Sequence, residues 1–537
     1  MDSSERSTKK LLSQEISVLA DVLQRDLTSN APTLPPDLLH LKRLASSGAL
    51  SYWLCNFLDI VHARWDVACQ EEALTARAYA ESSRSSRPRV MLALMSSLNS
   101  ASQDSDWNRQ IFTDIHSYRQ EVGELQKDLV KVRSKDLQPS DEISPTNQVR
   151  SSRRQRSKIC VSRTYLPRFA ELLLALSLGS LPMRWREPHI ESKSIDEDLR
   201  MKLDFRPEAA FPGSFEHFIR SYLSMHLPMS LVEDFAEIRS VVSDKTKRTP
   251  HAFFTAHLHV SSDSFLIWCE MQRERGMRLV LSQHGGLNGQ GLVPTRGEEF
   301  EAKFADRYLH WGWAKVPTAI RIPAQLNVWA RKRRRSNHLN KLVIITDCTY
   351  RWSRRPWAST DDNARYRRML LEIYGSLEDE VRTNTIVRLH HDHDKYDESH
   401  ETMWRSEFPN VKLDGGLSSI WPLRRQAKLL VCTSLGTSEI EQFARSMPTV
   451  LRLDPEVHAL RSSCVSLFEE MESGGLVHWS TDSFERFIRE NWDDVDQWWR
   501  SRDTQDLVMK YLSMYGHSTR KPLRRFRQTL LEASNSY

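Results

Sequence analysis

Apolar positions in the first part of the chain recur at helical spacing. Leu12, Ile16, Leu19 and Leu23 share one face of a predicted helix over residues 10–26. The PTLPP segment at 32–36 ends it, because proline lacks an amide proton and clashes with the preceding turn. The aromatic-rich stretch SYWLCNFLDIVHARW, 51–65, predicts a buried helix. Residues 84–105 are rich in Ser and Arg around one apolar island. Residues 134–157 have almost no apolar periodicity and read as a flexible loop.

From residue 158 the pattern changes to short apolar runs alternating with amphipathic segments. KICVS (158–162) predicts a strand, and PRFAELLLALSLG (167–179) a helix opened by Pro167 and closed by Gly179. Residues 215–235 predict a helix broken at Pro228. HAFFTA (251–256) predicts a strand. SDSFLIWCEMQRERG (262–276) predicts a helix capped at Ser262 or Asp263 and stopped at Gly276. It feeds a strand through Leu279, Val280 and Leu281. Strand, helix, strand is a βαβ unit and implies a parallel sheet. A second block follows, with strands at 341–348, 384–390, 428–434 and 448–455 and helices at 361–377, 437–446 and 483–499. No internal repeat of fixed period is present. The pattern predicts two α/β domains, joined near residues 316–340, with a helical N-terminal region. The divisions are a first domain over 1–315, a basic linker over 316–340, a second domain over 341–516, and a basic tail or helix over 517–537.

Composition and charge narrow the partners. The net charge of +6 is mild for 537 residues, but basic residues cluster at Arg153, Arg154, Arg156 and Lys158, and again from Arg331 to Arg335. The plain reading of both clusters is solvated linkers; no nucleic-acid-binding motif accompanies either, so between the sharper readings an anionic membrane surface is favoured over nucleic acid, which is not expected. Seven scattered cysteines with no CxxC fit reduced thiols in cytoplasm. MDSSERSTKK lacks the apolar region of a signal peptide, and the run Leu172–Leu178 is too short to span a bilayer. The expected location is cytoplasmic, soluble or peripheral at the inner membrane face.

Two strand ends carry candidate chemistry. In RLVLSQHGGLNGQG (278–291) an apolar run stops at Ser282 and gives way to Gln283, His284, Gly285 and Gly286. Glycine lets the backbone approach a phosphate or sugar, and histidine moves protons near neutral pH. The plainer reading is a tight turn whose histidine bonds backbone; no GxGxxG or P-loop is present. In VCTSLGTSEIEQFARSMPTV (431–450) a strand ends in Thr433, Ser434, Leu435 and Gly436, and a helix starts at Thr437 or Ser438. Its amides and hydroxyls suit an anion, and Glu441 suits sugar hydroxyls; simple N-capping with an exposed Glu441 fits equally well. Arg388, at a strand's end, reads either as a phosphate-holding cation or as half of a structural ion pair.

Other residues point less clearly. HHDHD (390–394) invites a metal, but neighbours on an extended chain point opposite ways, so a solvated loop and no metal site are expected. In EEFEAKFADRYLHWGWA (298–314), Glu299, Glu301 and Asp306 are candidate bases, although Asp306 and Arg307 suit a tie to the core. Trp311 and Trp313 fit either sugar stacking or core packing. The absence of GxSxG argues against a Ser/His/Asp hydrolase.

QHGG, EEFEAKFADRYLHWGW, TSLGTSEIEQFARSMPTV, DPE and GGLVHWSTDSFERFIRENWDDVDQWW occur in this order. SYWL, DWN and FEHFIRSYLSMHLP precede them. The series, from about residue 10 to residue 516, resembles the transferase family of bacterial surface-carbohydrate (O-antigen and capsule) biosynthesis. That family is similar to GT-B glycosyltransferases and to CDP-polyol phosphotransferases. The resemblance implies two Rossmann-like domains face to face, with acceptor on the first and nucleotide donor on the second. It implies transfer of a sugar or polyol phosphate from a nucleotide-activated donor, such as a nucleotide sugar, to a glycan or lipid-linked acceptor, with no cofactor required. His284 would act as general base or phosphate-contacting acid. Gln283, Gly285, Gly286, Arg388 and the Ser434–Ser438 loop would hold the donor or its phosphates, and Glu441 the ribose. The chain departs from the family pattern at Asn288, Phe300, Thr346–Tyr350, Leu435 and Ala459. Those departures keep open the alternative of a non-catalytic nucleotide- or glycan-binding member of an assembly complex.

Overall fold

A computed structural model gives the architecture of the chain. It describes residues 3–535 apart from 30–33, 35, 71–91, 93, 129–158, 192, 244, 246–248, 315–318, 331–338, 351, 353–359 and 394–398. The loop expected at 134–157, the basic residues Arg153, Arg154, Arg156 and Lys158, and the run Arg331–Arg335 lie outside the described residues.

Two sheets organise the fold. In the first, β1 (Ile159–Val161), β2 (Ala252–Thr255), β3 (Arg278–Ser282), β4 (Arg307–His310) and β5 (Ala319–Arg321) lie side by side in chain order. The second contains β6 (Lys341–Ile345), β7 (Thr385–Arg388), β8 (Lys412–Asp414), β9 (Ala427–Cys432), β10 (Thr449–Arg452) and β11 (Val477–His478). Its spatial order is β11-β10-β9-β6-β7-β8. All pairings in both sheets are parallel. The architecture is thus α/β with two Rossmann-like sheets and a helical N-terminal region. The order reverses between β6 and β9, and ligands in such sheets bind outside the carboxyl ends of strands at the reversal.

The elements differ from the sequence expectation where apolar runs are short. β5 lies inside the stretch assigned to the linker, and β8 and β11 span only three and two residues. The amphipathic segment 298–314 divides into a helix, Arg296–Phe304, and β4. The 483–499 helix divides at Asp494, whose side chain caps a second helix, Val495–Arg500, by accepting from Gln497 N. A helix over Ser105–Asp128 has no counterpart in the reading from sequence. Pro167 is the N-cap of the Arg168–Ser177 helix, one place earlier than its expected first-turn position. The break at Pro228 is present: the Phe215–His226 helix ends, and Met229–Leu231 forms one 3-10 turn.

β3 shows how the layers are held. Leu279 and Leu281 join the core of the N-terminal helical layer, with Trp53, Phe57 and Ile111. Val280 points the other way, into a core with Phe254, Leu451 and Tyr511. Period-two alternation therefore buries both faces of the strand, as parallel sheets require. The second core is continuous across both sheets. The last helix, Pro522–Asn535, returns to the first sheet: Phe526 lies 6.2 Å from Phe254, and His251 Nε2 lies 2.6 Å from Ser534 O. Among the described residues no helix is long and apolar enough to cross a membrane, and the seven cysteines are free thiols.

A buried ion pair ties the helical layer to the first sheet. Arg296 Nε donates to Asp59 Oδ2 at 2.7 Å, Nη2 pairs with Asp59 Oδ1, and both side chains are buried. Asp59 lies on the Ser51–Gln70 helix, and Arg296 opens the helix before β4. Arg296→Met leaves a buried carboxylate without its counter-charge. The expected loss is about 3–5 kcal/mol in urea denaturation. A loss under about 1 kcal/mol would show that the pair does not hold the layer.

Candidate functional site

The chain leaves β3 through Gln283, which is fully buried. Its Oε1 accepts from Trp311 N at 2.9 Å and from Trp313 Nε1 at 2.7 Å, and its Nε2 donates to Gly285 O at 2.6 Å. Gln283 is therefore a brace for the turn. Trp311 is also in the core, which removes it as a sugar-stacking face; Trp313 is half-buried beside Tyr308 and His310.

His284 follows, and the structure surrounds it with residues from three strand ends and one helix. Its Nδ1 lies 3.2 Å from Glu301 Oε1, and 26% of its side chain is exposed. Glu301 is buried on the Arg296–Phe304 helix, whose start is fixed by a Thr295–Glu298 capping box. The same Oε1 pairs with His259 Nε2 at 3.0 Å. The His257 ring lies 5.6 Å from that of His284, and Tyr165 stacks on His284 at 5.8 Å. Burial opposes charge on Glu301, yet His284 and His259 hold it well below the usual carboxylate range. Burial would lower His284, but the Glu301 charge and hydrogen bond outweigh it and raise the imidazole. His257 is pushed down to about 4, first by burial and then by the charges of His284, His259 and Arg163. The result is one fixed anion, one imidazole biased towards the proton and one held neutral. With Nδ1 on the carboxylate, His284 presents Nε2 for proton transfer, the arrangement of base and orienting acid in hydrolytic triads. Asp306 and Glu299 are committed elsewhere: Asp306 Oδ2 accepts from Leu279 N at 2.7 Å, and Glu299 pairs with Arg296 at 2.7 Å.

The second half of the site is the crevice at the β6/β9 reversal. Thr433 Oγ1 lies 2.6 Å from Tyr366 OH and donates to Ile345 O at 3.0 Å, which locks the exits of β9 and β6 together. Ser434 is half-buried and Thr437 exposed; Thr437 occupies the N-cap of the Ser438–Ala444 helix without a side-chain cap bond. Gly436 N donates to Glu439, so one amide of this turn is already satisfied. Glu441 pairs with Arg424, and Arg388 donates to Asp414 Oδ1 at 2.6 Å, Gly416 O at 3.1 Å and Ser418 O at 2.6 Å. Arg388 thus takes its structural role, bound to the β8 edge. Among the described residues, two groups of ligand atoms lie within 4.8 Å of one another and have the make-up to hold a metal: Asp347, Cys348 and His390, of which HHDHD supplies only the histidine, and His390, His391 and Asp392, all within HHDHD. Asp394 lies outside the described residues.

The two loops singled out in the sequence meet at the domain seam. A Cβ on Gly286 would collide with the Gly436 carbonyl, so only glycine permits this approach. Leu292 N donates to Ala459 O at 2.8 Å, and Arg461 Nη2 pairs with Glu298 Oε2 at 2.8 Å. Gln290 Nε2 donates to Gly286 O at 2.8 Å, which aims its Oε1 at Tyr511 OH, 3.0 Å away. Tyr511 OH also lies 2.9 Å from Glu439 Oε1. One hydroxyl proton cannot serve two acceptors; a protonated Glu439 donating to Tyr511 completes the chain. Burial raises Glu439 to about 7 despite its hydrogen bonds. His257, His259, Glu439 and Tyr511 were not legible as site residues. The one signal was the pair of histidines in HLH just after a strand.

A sequence model of one family, described as LIC12162 family transferase, matches residues 47–530, and the chain belongs to that family. No curated protein matches it. Among solved structures it is similar to S. aureus MnaA in a co-structure with UDP, at 8% identity over 71% of this chain and 97% of that one, TM-score 0.40. It is also similar to Acinetobacter baumannii MurG, at 10% identity over 70% and 99%, TM-score 0.33. A Streptomyces glycosyltransferase gives 12% identity over 70% and 99%, TM-score 0.31.

Two outcomes follow from this electrostatic layout. Glu301→Gln removes the anion that raises His284, so the His284 imidazole should titrate at lower pH in an NMR titration; an unmoved midpoint would dissociate the pair. Glu439 has a raised value in the folded state, so its contribution to stability is full below the unfolded carboxylate range. That contribution falls as pH rises through about 7. Urea denaturation from about pH 5 to about pH 8 should show this fall in the wild type and a flatter profile in Glu439→Gln. Identical profiles would remove Glu439 from the pH response.

Proposed function

We propose that this transferase moves a sugar or polyol phosphate from a nucleotide-activated donor to a glycan acceptor in surface-polysaccharide assembly. The observation that carries the reading is the His284–Glu301 pair at the exit of β3. It sits on the loop whose Gly286 backbone presses on the Gly436 turn of the second domain. A proton-transfer group on one domain is thereby built into the same seam as the strand-reversal crevice of the other.

In this reading the acceptor hydroxyl gives its proton to His284 Nε2 as its oxygen attacks the donor's anomeric carbon or phosphorus. Glu301 stabilises the imidazolium that forms. The bond to the leaving nucleotide breaks, and its negative charge develops against the amides of Gly285 and Gly286 and the Ser434–Ser438 turn. Arg388 and Glu441 fix the crevice rim, since each is already ion-paired.

The test begins with thermal shifts against UDP-, GDP-, CDP-, CMP- and dTDP-linked donors. One nucleotide class should raise Tm by mass action. His284→Ala should keep that shift and lose turnover by roughly 10²–10⁴-fold. Wild-type turnover in the variant removes His284 from the chemistry. A donor-induced shift without turnover, unaffected by His284→Ala, favours the non-catalytic nucleotide-binding alternative, and no shift with any donor counts against the donor site.

A further inference from the structure

The helix that follows the Tyr165 loop carries an apolar face that is exposed among the described residues. Arg168–Ser177 buries Ala170, Leu174 and Ala175 against the first sheet. Its opposite face exposes Phe169 at 62%, Leu173 at 38% and Leu176 at 53%. These positions, i, i+4 and i+7, form one stripe. Leu181, 68% exposed, extends it beyond Gly179. Trp329, 47% exposed, adds a second aromatic, its ring 6.0 Å from that of Phe169. An exposed cluster of this composition marks an interaction surface.

The exposed charges around the stripe are predominantly positive. Arg163 and Arg168 are exposed at its start. The Pro522–Asn535 helix packs alongside, with Arg527 Nε donating to Ser177 O at 3.0 Å. It presents Arg524 and Arg527, and Arg520 and Lys521 are exposed just before it. Only two acids occur on the two helices. Glu171 accepts from Thr164 N at 2.9 Å and Thr164 Oγ1 at 2.6 Å, and Glu532 accepts from Gln528 at 2.8 Å. Apolar side chains with a tryptophan, rimmed by arginine and lysine, match the boundary between acyl chains and anionic headgroups.

We propose that this face docks the protein on an anionic lipid bilayer, with Phe169, Leu173, Leu176, Leu181 and Trp329 entering the headgroup layer. Tyr165, three residues before the helix, stacks on His284. Docking therefore sets the His284 loop at the membrane surface, where a lipid-linked acceptor presents its glycan. This last consequence rests on the transfer reading; the docking itself does not.

Full-length protein is sedimented with vesicles of phosphatidylcholine alone or mixed with phosphatidylglycerol. The wild type should bind the mixed vesicles and lose binding as salt is raised. Phe169→Glu/Leu173→Glu/Leu176→Glu and, separately, Arg524→Glu/Arg527→Glu should each weaken it by roughly tenfold or more. Both variants should keep the wild-type circular dichroism and the donor-induced thermal shift, so loss of donor binding alone would count against the transfer reading and not against docking. Absence of wild-type binding overturns the proposal, as does equal binding by both variants. Self-association of the wild type in sedimentation velocity, abolished by the triple substitution, would assign the face to a second copy and overturn it likewise.

Discussion

The close approach of Gly286 to the Gly436 carbonyl is the constraint on which the arrangement of the two domains depends. It leaves no room for a side chain, so the loop after β3 and the turn after β9 have one relative position. The contacts around it are specific as well as close. Gln290 is held by Gly286, Tyr511 by Gln290, and Glu439 by Tyr511, a chain that passes from the first domain through a C-terminal helix into the second. Behind it the apolar core runs without interruption from Val280 to Leu451. Hydrogen bonds set the register of the seam, and apolar burial supplies its cohesion.

Two buried glutamates show how the same side chain takes opposite roles. Glu301 and Glu439 are both removed from solvent. Glu301 faces two imidazoles, whose charges outweigh its burial. Glu439 faces an amide and a phenol, dipoles that do not compensate a full charge, so burial raises it to about 7. One carboxylate is therefore a permanent anion that biases His284, and the other takes up or releases a proton near neutrality at the seam. Environments that drive like groups apart are how a single fold separates proton-handling roles.

The strands with strong apolar runs, β1, β2, β3, β6, β7, β9 and β10, were legible because alternation or continuous apolarity is a local property. So were the two loops that end β3 and β9. AIR, KLD and VH were not, since two or three residues carry no period. The return of the last helix to the first sheet has no local signal at all. The same limit applies to side chains. Arg388 and Glu441 look available in sequence, and their partners Asp414 and Arg424 are neighbours only in the folded sheet. His257 and His259 gain significance only once Glu301, on a helix more than forty residues later, is placed beside them.

The returning helix also connects the seam to the exposed apolar stripe. Pro522–Asn535 follows Tyr511 and Tyr515, which are buried in the seam, and ends against β2 and the Arg168–Ser177 helix. Gly312 and Gly516 admit this path: a Cβ on Gly312 would lie 2.5 Å from Met514 O, and one on Gly516 2.6 Å from Ile440. The stripe, the returning helix and the seam are therefore joined by covalent continuity and direct packing, and Tyr165, stacked on His284, stands between the stripe and the β3 loop.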